Sequence, residues 1–564
     1  MCRNRKGLAV GCLICISIVS GIIALILSVV GTRNIYQPSP NKYGLVFDAG
    51  SSHTSLYLYQ WPAHKENDTG IVSQIHMCEV HGSGLSSYAD NPSQAGEILK
   101  PCMDEVLKII PSKQHRETTT LLGATAGMRL LKLQNETKTQ QIFHEVSKTL
   151  REYPVNFQGA RILDGKEEGS LGWVTVNYLL GTFIQYSYIQ SWFRPKQAQM
   201  VGAMDLGGAS TQMTFQPSGT IEDKSTEMIF KLYGYDYTIY THSYLCYGQD
   251  QALKKLLVHL IETRGSGNVQ HPCYPRGYTT TVSLSSVYDS PCVTTPSGNE
   301  EVNVTVVGTG DSYQCLLSVS QIFNFSVCGN SSCSFNGIYQ PPVYGEFYAF
   351  SAFYYTFNFL NLTCGQSLSE TNSSIWGYCS REWTEPDLSD LSQRLRTQVL
   401  YSALNRAEQC TRATTGSKEE DITARRWEAP DWTVTPIGPK PDPDRPWLSS
   451  SFPLENQRRL VNYCSSAMYI LTLLLNGYKF TSETWNNIHF AKQAGNADVG
   501  WTLGYMLNLT NMIPSEEPSL FKAHEYNMWV AAIFFIVLSL AAALVAAPLH
   551  CFCRNACAEQ AWWT

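Results

Sequence analysis

DAGSSHTS, from Asp48 to Ser55, and DLGGASTQ, from Asp205 to Gln212, repeat one local pattern. An apolar run leads to an aspartate (Leu45 to Phe47; Met200 to Met204), a turn of small residues follows, and a β-type run leaves it (Leu56 to Tyr59; Gln212 to Phe215). Each copy reads as strand, tight turn, strand. Glycine permits close backbone approach, so amides and Ser or Thr hydroxyls can face an anion while the leading Asp faces its metal ion. One such turn is an ordinary hairpin, whereas the pair predicts two related halves that hold phosphates and a cation between them.

A chain of 564 residues exceeds one ordinary core, so two lobes are expected. A net charge of −6 argues against nucleic acid as a partner and makes phosphate binding a local affair.

Residues 7–31 carry no charged side chain and follow Arg3, Arg5 and Lys6, which predicts a membrane anchor with residues 1–6 in the cytoplasm. A cleaved signal peptide is the alternative, but the apolar run is long for one. A second apolar stretch, 528–549, predicts another crossing, with a core helix as the plainer reading; the tail 550–564 then returns to the cytoplasm. Cys551, Cys553 and Cys557 there are either acylation sites or reduced thiols. Between the anchors lie twelve of the 18 cysteines and eight Asn-x-Ser/Thr acceptors, at Asn67, Asn135, Asn303, Asn324, Asn330, Asn361, Asn372 and Asn508. That combination points to an oxidising, glycosylating compartment, so residues 32–527 are read as extracellular or lumenal. Cys328 and Cys333 are the one tight pair, with no second pair or His at finger spacing, so disulfides are favoured over zinc.

Two stretches between the turns bear on phosphate chemistry. LLGATAGMRLL, Leu121 to Leu131, passes from apolar to small and polar to helical, and its turn can present Thr125 to an anion at a helix N-terminus. DGKEEGSLGW, Asp164 to Trp173, places Glu167 and Glu168 in a first helical turn, where glutamates commonly just suit the helix dipole. Phosphoanhydride hydrolysis needs a carboxylate that orients and deprotonates water, and either glutamate is a candidate.

DAGSSHTS, GATAGMR, DGKEEGSLGW, MDLGGASTQ and the late GNADVGWTLGYMLN, in this order, resemble the five apyrase-type signatures of the ecto-nucleoside triphosphate diphosphohydrolases, most closely the ATP-preferring and liver-type members of the cell-surface branch. The resemblance implies an α/β ectodomain of the duplicated actin, sugar-kinase and heat-shock-ATPase kind (RNase H-like), with its site in the cleft between lobes. Lobe I would comprise about 43–164 and 493–515 and lobe II about 165–492. The implied reaction removes terminal phosphate from extracellular nucleoside triphosphates, and from diphosphates, with a Ca2+ or Mg2+ ion and no phosphorylated protein intermediate.

Carried over residue by residue, Glu168 resembles the water-activating base, with Ser210 and Gln212 positioning the water. Asp48 and Asp205 would hold the cation through water. Ser51, Ser52, His53, Thr54, Thr125, Gly207, Gly208 and Ala209 would surround the phosphates, and Tyr355 and Arg459 would clamp the nucleobase; without the family, Tyr354 and Tyr355 read as core aromatics. Gln249 stands where cell-surface relatives commonly show Arg, which puts one nucleotide contact in doubt. The implied disulfides are Cys78 with Cys102, Cys246 with Cys292, Cys273 with Cys315, Cys328 with Cys333, and Cys379 with Cys464; Cys364 and Cys410 are left unassigned.

The stretch 384–454 carries prolines at 430, 436, 439, 441, 443 and 446 and departs from the family pattern. It is expected to be a disordered surface insertion, with translated intron sequence as the alternative. Association of subunits through the membrane helices is a further expectation. Two rival functions remain: a Golgi or endoplasmic-reticulum nucleoside diphosphatase with similar catalytic residues, and a non-catalytic nucleotide-binding surface protein.

Overall fold

The chain forms two units, one of residues Met1–Asn41 with Ser515–Thr564 and one of Lys42–Pro514. The computed structural model describes residues 2–30, 32–37, 41–187, 191–196, 198–264, 268–294, 303–327, 332–383, 453–495, 497–516, 519–524 and 526–560. Cys328, Cys410, Asn330 and residues 384–452 of the proline-rich stretch therefore lie outside the described residues.

The larger unit is built on two sheets. The first contains β1 (Asn41–Ala49), β2 (Thr54–Pro62), β3 (Ser73–Val80), β4 (Thr119–Ala124) and β5 (Asn156–Ile162), in the order β3-β2-β1-β4-β5. The second contains β6 (Gly202–Leu206), β7 (Ser210–Phe215), β8 (Glu227–Leu232), β9 (Tyr235–Leu245), β10 (Phe347–Ser351) and β11 (Ile488–Phe490), in the order β8-β9-β7-β6-β10-β11. Apart from the extra edge strand β8, the two orders are the same. In both, the central strand runs parallel to the next crossover strand: Asp48 on β1 sits opposite Gly123 on β4, and Asp205 on β6 opposite Phe350 on β10. Both aspartates thus stand near the carboxyl end of a central strand, where open α/β sheets bind ligands.

Buried side chains fall into three main groups. One belongs to the first sheet (Phe47, Leu122, Val146), one to the second (Phe215, Val306, Tyr469), and one joins the two (Trp61, Trp173, Phe350, Trp501, Met506). The helices α1 (Ala126–Gln134) and α2 (Gly165–Leu179) leave β4 and β5 of the first sheet, and α3 (Gln249–Arg264), α4 (Ala352–Phe359) and α5 (Pro453–Thr472) accompany the second. A late helix, α6 (Trp501–Thr510), returns to the joining core. It crosses α2 so closely that a Cβ on Gly504 would lie 2.0 Å from the Leu171 carbonyl oxygen, and the Gly504 amide donates to Thr175 Oγ1 at 2.8 Å. Glycine is required there for want of space.

The smaller unit contains helices Cys2–Val30 and Tyr526–Gln560, and strands Thr32–Gln37 and Ser519–His524 that pair antiparallel. Within the helices, Gly7–Val29 and Tyr526–Cys551 are long and apolar enough to cross a membrane, each with mean hydropathy 2.8. The two helices meet at serines: Ser17 Oγ donates to the Ser539 carbonyl (3.0 Å) and Ser539 Oγ to the Ser17 carbonyl (2.9 Å). A third stretch of sufficient length, Arg459–Gly477, is 72% buried and packs in the core of the second sheet.

Four disulfides join Cys78 to Cys102, Cys246 to Cys292, Cys273 to Cys315 and Cys379 to Cys464, as the resemblance implies. Cys333 and Cys364 are disulfide-bonded as well. Asn67, Asn135, Asn303, Asn324, Asn361 and Asn372 are exposed, whereas Asn508 on α6 is half-buried.

Candidate active site

Ser51 is the point where separate motifs meet. A Cβ on Gly127, in the first turn of α1, would lie 2.8 Å from Ser51 Cα, and one on Gly208, in the second turn, 2.6 Å from Ser51 Oγ. The first and fourth motifs therefore touch, with the second packed on the same residue; a larger residue at position 208 would separate them.

The second turn is oriented by α3. The Gly207 and Gly208 carbonyls accept from the amides of Gln249 (2.8 Å) and Asp250 (2.9 Å). Because a trans peptide holds C=O and N–H on opposite sides, the Gly208 and Ala209 amides turn away from α3. Gly207 differs, since its own amide closes the turn onto the Ser210 carbonyl at 3.0 Å. In the second motif the Thr125 amide donates to the Ala49 carbonyl at 3.1 Å, so its buried hydroxyl is the group left for a ligand. Ser52 and His53 are exposed, with Ser52 Oγ and His53 Nδ1 3.0 Å apart. Thr54 is buried, and its Oγ1 makes no hydrogen bond among the described residues.

The paired glutamates of the third motif diverge because neighbours on a helix point about 100° apart. Asp164 caps α2 by accepting from the Gly165 amide at 2.8 Å. Glu167 turns outward to Arg161, which donates to it from both terminal nitrogens, and Glu168 turns inward and is buried. There Glu168 Oε2 accepts from Gln212 Nε2 (3.0 Å) and from Arg129 Nη2. Gln212 Nε2 also reaches Ser210 Oγ (2.7 Å) and Ser243 Oγ (3.1 Å), while Arg129 donates to the same two hydroxyls at 3.2 and 3.4 Å. Glu168, Ser210 and Gln212 are thus brought together, with Arg129 and Ser243 added to them.

Three carboxyls share this interior. Burial is the main cause that lifts each one: Asp48 to about 7, against a neighbouring Trp501 indole that lowers it and with Asp205 adding repulsion; Asp205 to about 6, against Ser351 and the Leu206 amide; and Glu168 to about 7, where Arg129 lowers and both aspartates raise. Raised carboxyls of this kind mark sites arranged for proton transfer or cation binding. Asp48 Oδ1 and Asp205 Oδ1 are buried and have no hydrogen-bond partner among the described residues. Two buried carboxyl oxygens left without a protein partner fit a hard divalent cation.

Tyr355 is 54% exposed on α4 and is not a core aromatic. Burial raises the pKa of Tyr57, and Asp48, Asp498 and Tyr355 add to the rise. Arg459 on α5 neighbours Asp250 and Tyr463 electrostatically. Phe359 and Tyr463 stack with centroids 3.6 Å apart and planes at 2°, and Tyr355 and Arg459 each stand four residues before one member of that stack. Gln249 Nε2 donates to Ser466 Oγ on α5 at 3.0 Å.

The sequence match to known proteins extends well beyond this site. The GDA1/CD39 (nucleoside phosphatase) family matches residues 34–413 and 447–522. The chain belongs to that family. The break at 414–446 falls inside the proline-rich stretch. Ectonucleoside triphosphate diphosphohydrolase 8 of Gallus gallus is 49% identical over 553 residues, covering 98% of this chain and 99% of its own. The protein of the same name from Homo sapiens is 47% identical, covering 95% and 96%, and human ectonucleoside triphosphate diphosphohydrolase 2 is 41% identical, covering 93% and 94%. In fold, the chain is similar to the crystal structure of nucleoside triphosphate hydrolases from Neospora caninum, at TM-score 0.53 and 15% identity over 90% of this chain and 97% of that one.

Arg129 and Ser243 were missed from sequence. Arg129 carried a signal, since a cation one helical turn after Thr125 in an otherwise apolar stretch needs a partner. Ser243, in YTHSYL, carried none.

Proposed function

We propose that this chain is a membrane-anchored ecto-nucleotidase that hydrolyses the terminal phosphates of extracellular nucleoside triphosphates, and then diphosphates, to give orthophosphate. The observation that carries the reading is the convergence of buried Glu168 with Ser210 and Gln212 beside Asp48 and Asp205. Attack by water needs a base whose proton affinity suits neutral pH, and a glutamate lifted to about 7 is such a base. Ser210 Oγ and the Gln212 amide orient the water, and Glu168 accepts its proton as the phosphoanhydride bond breaks.

Asp48 and Asp205 are the residues that would hold Ca2+ or Mg2+ through water, and the ion would neutralise charge on the polyphosphate. The Gly208 and Ala209 amides, the Thr125 and Thr54 hydroxyls, and the Ser51 to His53 turn bind the phosphates. Tyr355 and Arg459 face the nucleobase, an arrangement that tolerates different bases. With both anchors spanning the plasma membrane, the termini lie in the cytoplasm and the catalytic unit outside.

The test is time-resolved separation of ATP, ADP and AMP after nucleotide and cation are added to intact cells expressing wild type or Glu168→Gln. Wild type should convert external ATP through ADP to AMP, and the variant should reach the surface with turnover reduced by at least about 100-fold. Undiminished turnover in the variant rejects Glu168 as the base, and activity appearing only after permeabilisation favours the lumenal diphosphatase.

A further inference from the structure

Ser351 holds a backbone conformation that its residue type does not favour. Its φ of 56° with ψ of −129° falls in the region that glycine occupies at the first central position of a type II′ turn. A side chain there meets its own backbone, and such strain persists only where surrounding structure imposes it. The surroundings here are firm. Ser351 ends β10, a strand paired in parallel on both sides, with Ser351 itself opposite Leu206 and Phe350 opposite Asp205. It also begins α4, whose Phe353 and Phe357 are fully buried.

Its side chain is equally unusual. A serine at a helix N-cap ordinarily accepts a bond from an amide of the first turn, yet Ser351 makes no such cap. The strand pairing instead sets Ser351 beside the Asp205–Leu206 end of β6. Ser351 is thereby held at one end by the Asp205 strand, and its strained φ sets the direction in which α4 departs. Tyr355 comes one helical turn later.

We propose that Ser351 is a positioning residue for nucleotide recognition: its strained backbone, anchored beside Asp205, aims α4 so that Tyr355 stands over the base while the phosphates occupy the two turns. This rests on the nucleotidase reading above. It adds that the phosphate-binding and base-binding halves of the site are set in register through one residue, which touches neither base nor reacting phosphate.

The test compares the full-length protein, wild type and the variants Ser351→Gly, Ser351→Ala and Tyr355→Ala, in three measurements: melting temperature, KM and kcat for ATP, and the Ki of inorganic tripolyphosphate against ATP hydrolysis. Glycine adopts this φ freely, so Ser351→Gly should melt at or above wild type, and Ser351→Ala should melt below Ser351→Gly. Ser351→Ala and Ser351→Gly both lose the hydroxyl beside Asp205 and differ in the freedom of the backbone, so the two variants are compared with each other: Ser351→Gly should raise KM for ATP about fivefold over Ser351→Ala, with kcat and the tripolyphosphate Ki within about twofold of Ser351→Ala, because between these two only the base contact loosens. Equal KM in Ser351→Gly and Ser351→Ala, while Tyr355→Ala raises it, overturns the positioning role alone. Weakening of ATP and tripolyphosphate by the same factor between the two variants overturns it too, as does Ser351→Ala melting above Ser351→Gly. A wild-type KM in Tyr355→Ala removes the base assignment, and the proposal with it.

Discussion

Replacing Arg129 by methionine probes Glu168, the proposed base, without touching it. The guanidinium and the Glu168 carboxylate form a buried ion pair, and Arg129 is the largest influence that lowers the proton affinity of Glu168 against burial and the two aspartates. An opposite charge at such range changes proton affinity by roughly 10- to 1,000-fold. With Glu168 at about 7, roughly seven-tenths of it is ionised at pH 7.4. A hundredfold gain in affinity, the middle of that range, leaves roughly 2% ionised and cuts kcat/KM about 30-fold. The loss should be conditional, with activity returning as pH is raised by about two units. A pH profile of kcat/KM for Arg129→Met, beside one for wild type, reads this directly. The reasoning is refuted if the acid limb stays where wild type has it and the whole profile simply drops, because Arg129 would then act on substrate or fold and not on the base.

Wild-type kcat/KM should fall as pH drops through about 7, since Glu168 must be ionised to take a proton; a flat profile from pH 8 to 6 contradicts that. In chelator, Asp48→Asn should stabilise the full-length protein at pH 7, and that gain should shrink as pH falls toward 4. Asp48, Asp205 and Glu168 all lie above ordinary carboxyl values, so the folded chain binds protons there that the unfolded chain releases, worth about 3 kcal/mol from Asp48 between pH 7 and 4, while the buried His242 and His271, lowered to about 4 and about 3, act on the whole protein in the opposite sense. Added calcium should raise the melting temperature most at the upper end of that range, and a calcium response independent of pH removes these acids as the cation's hosts. Gly504→Ala should destabilise by about 3 kcal/mol or leave no folded protein, because its methyl would meet the Leu171 carbonyl; unchanged melting would mean that α2 and α6 separate easily.

The two strand-turn-strand units led by Asp48 and Asp205 were legible because they are local: an aspartate at a strand end and small residues after it are consecutive in sequence. Their duplication conveyed the two-lobed plan. Which of Glu167 and Glu168 faces inward was not legible from residue type, since both suit a first turn; the Arg161 partner of Glu167, from β5, decides it in three dimensions. Arg129, Ser243 and the indole of Trp501 come from three different elements, and only the packing of the lobes brings them to Glu168 and Asp48. Tyr355 was assigned by resemblance against a plausible core reading, and exposure removes that reading because Phe353 and Phe357 supply the buried face of α4. The strain at Ser351 was invisible, as nothing in YAFSAFYY marks a positive φ.

The placement of α6 has a consequence for biosynthesis. Residues 501–510 fill the core that joins the two sheets and bring Trp501 beside Asp48, yet they are among the last of the segment between the two apolar helices to leave the ribosome. Nascent chains lacking them can close the outer parts of each lobe but not the centre, so maturation awaits near-complete translation and a premature stop anywhere upstream yields a client for quality control, not a smaller working hydrolase.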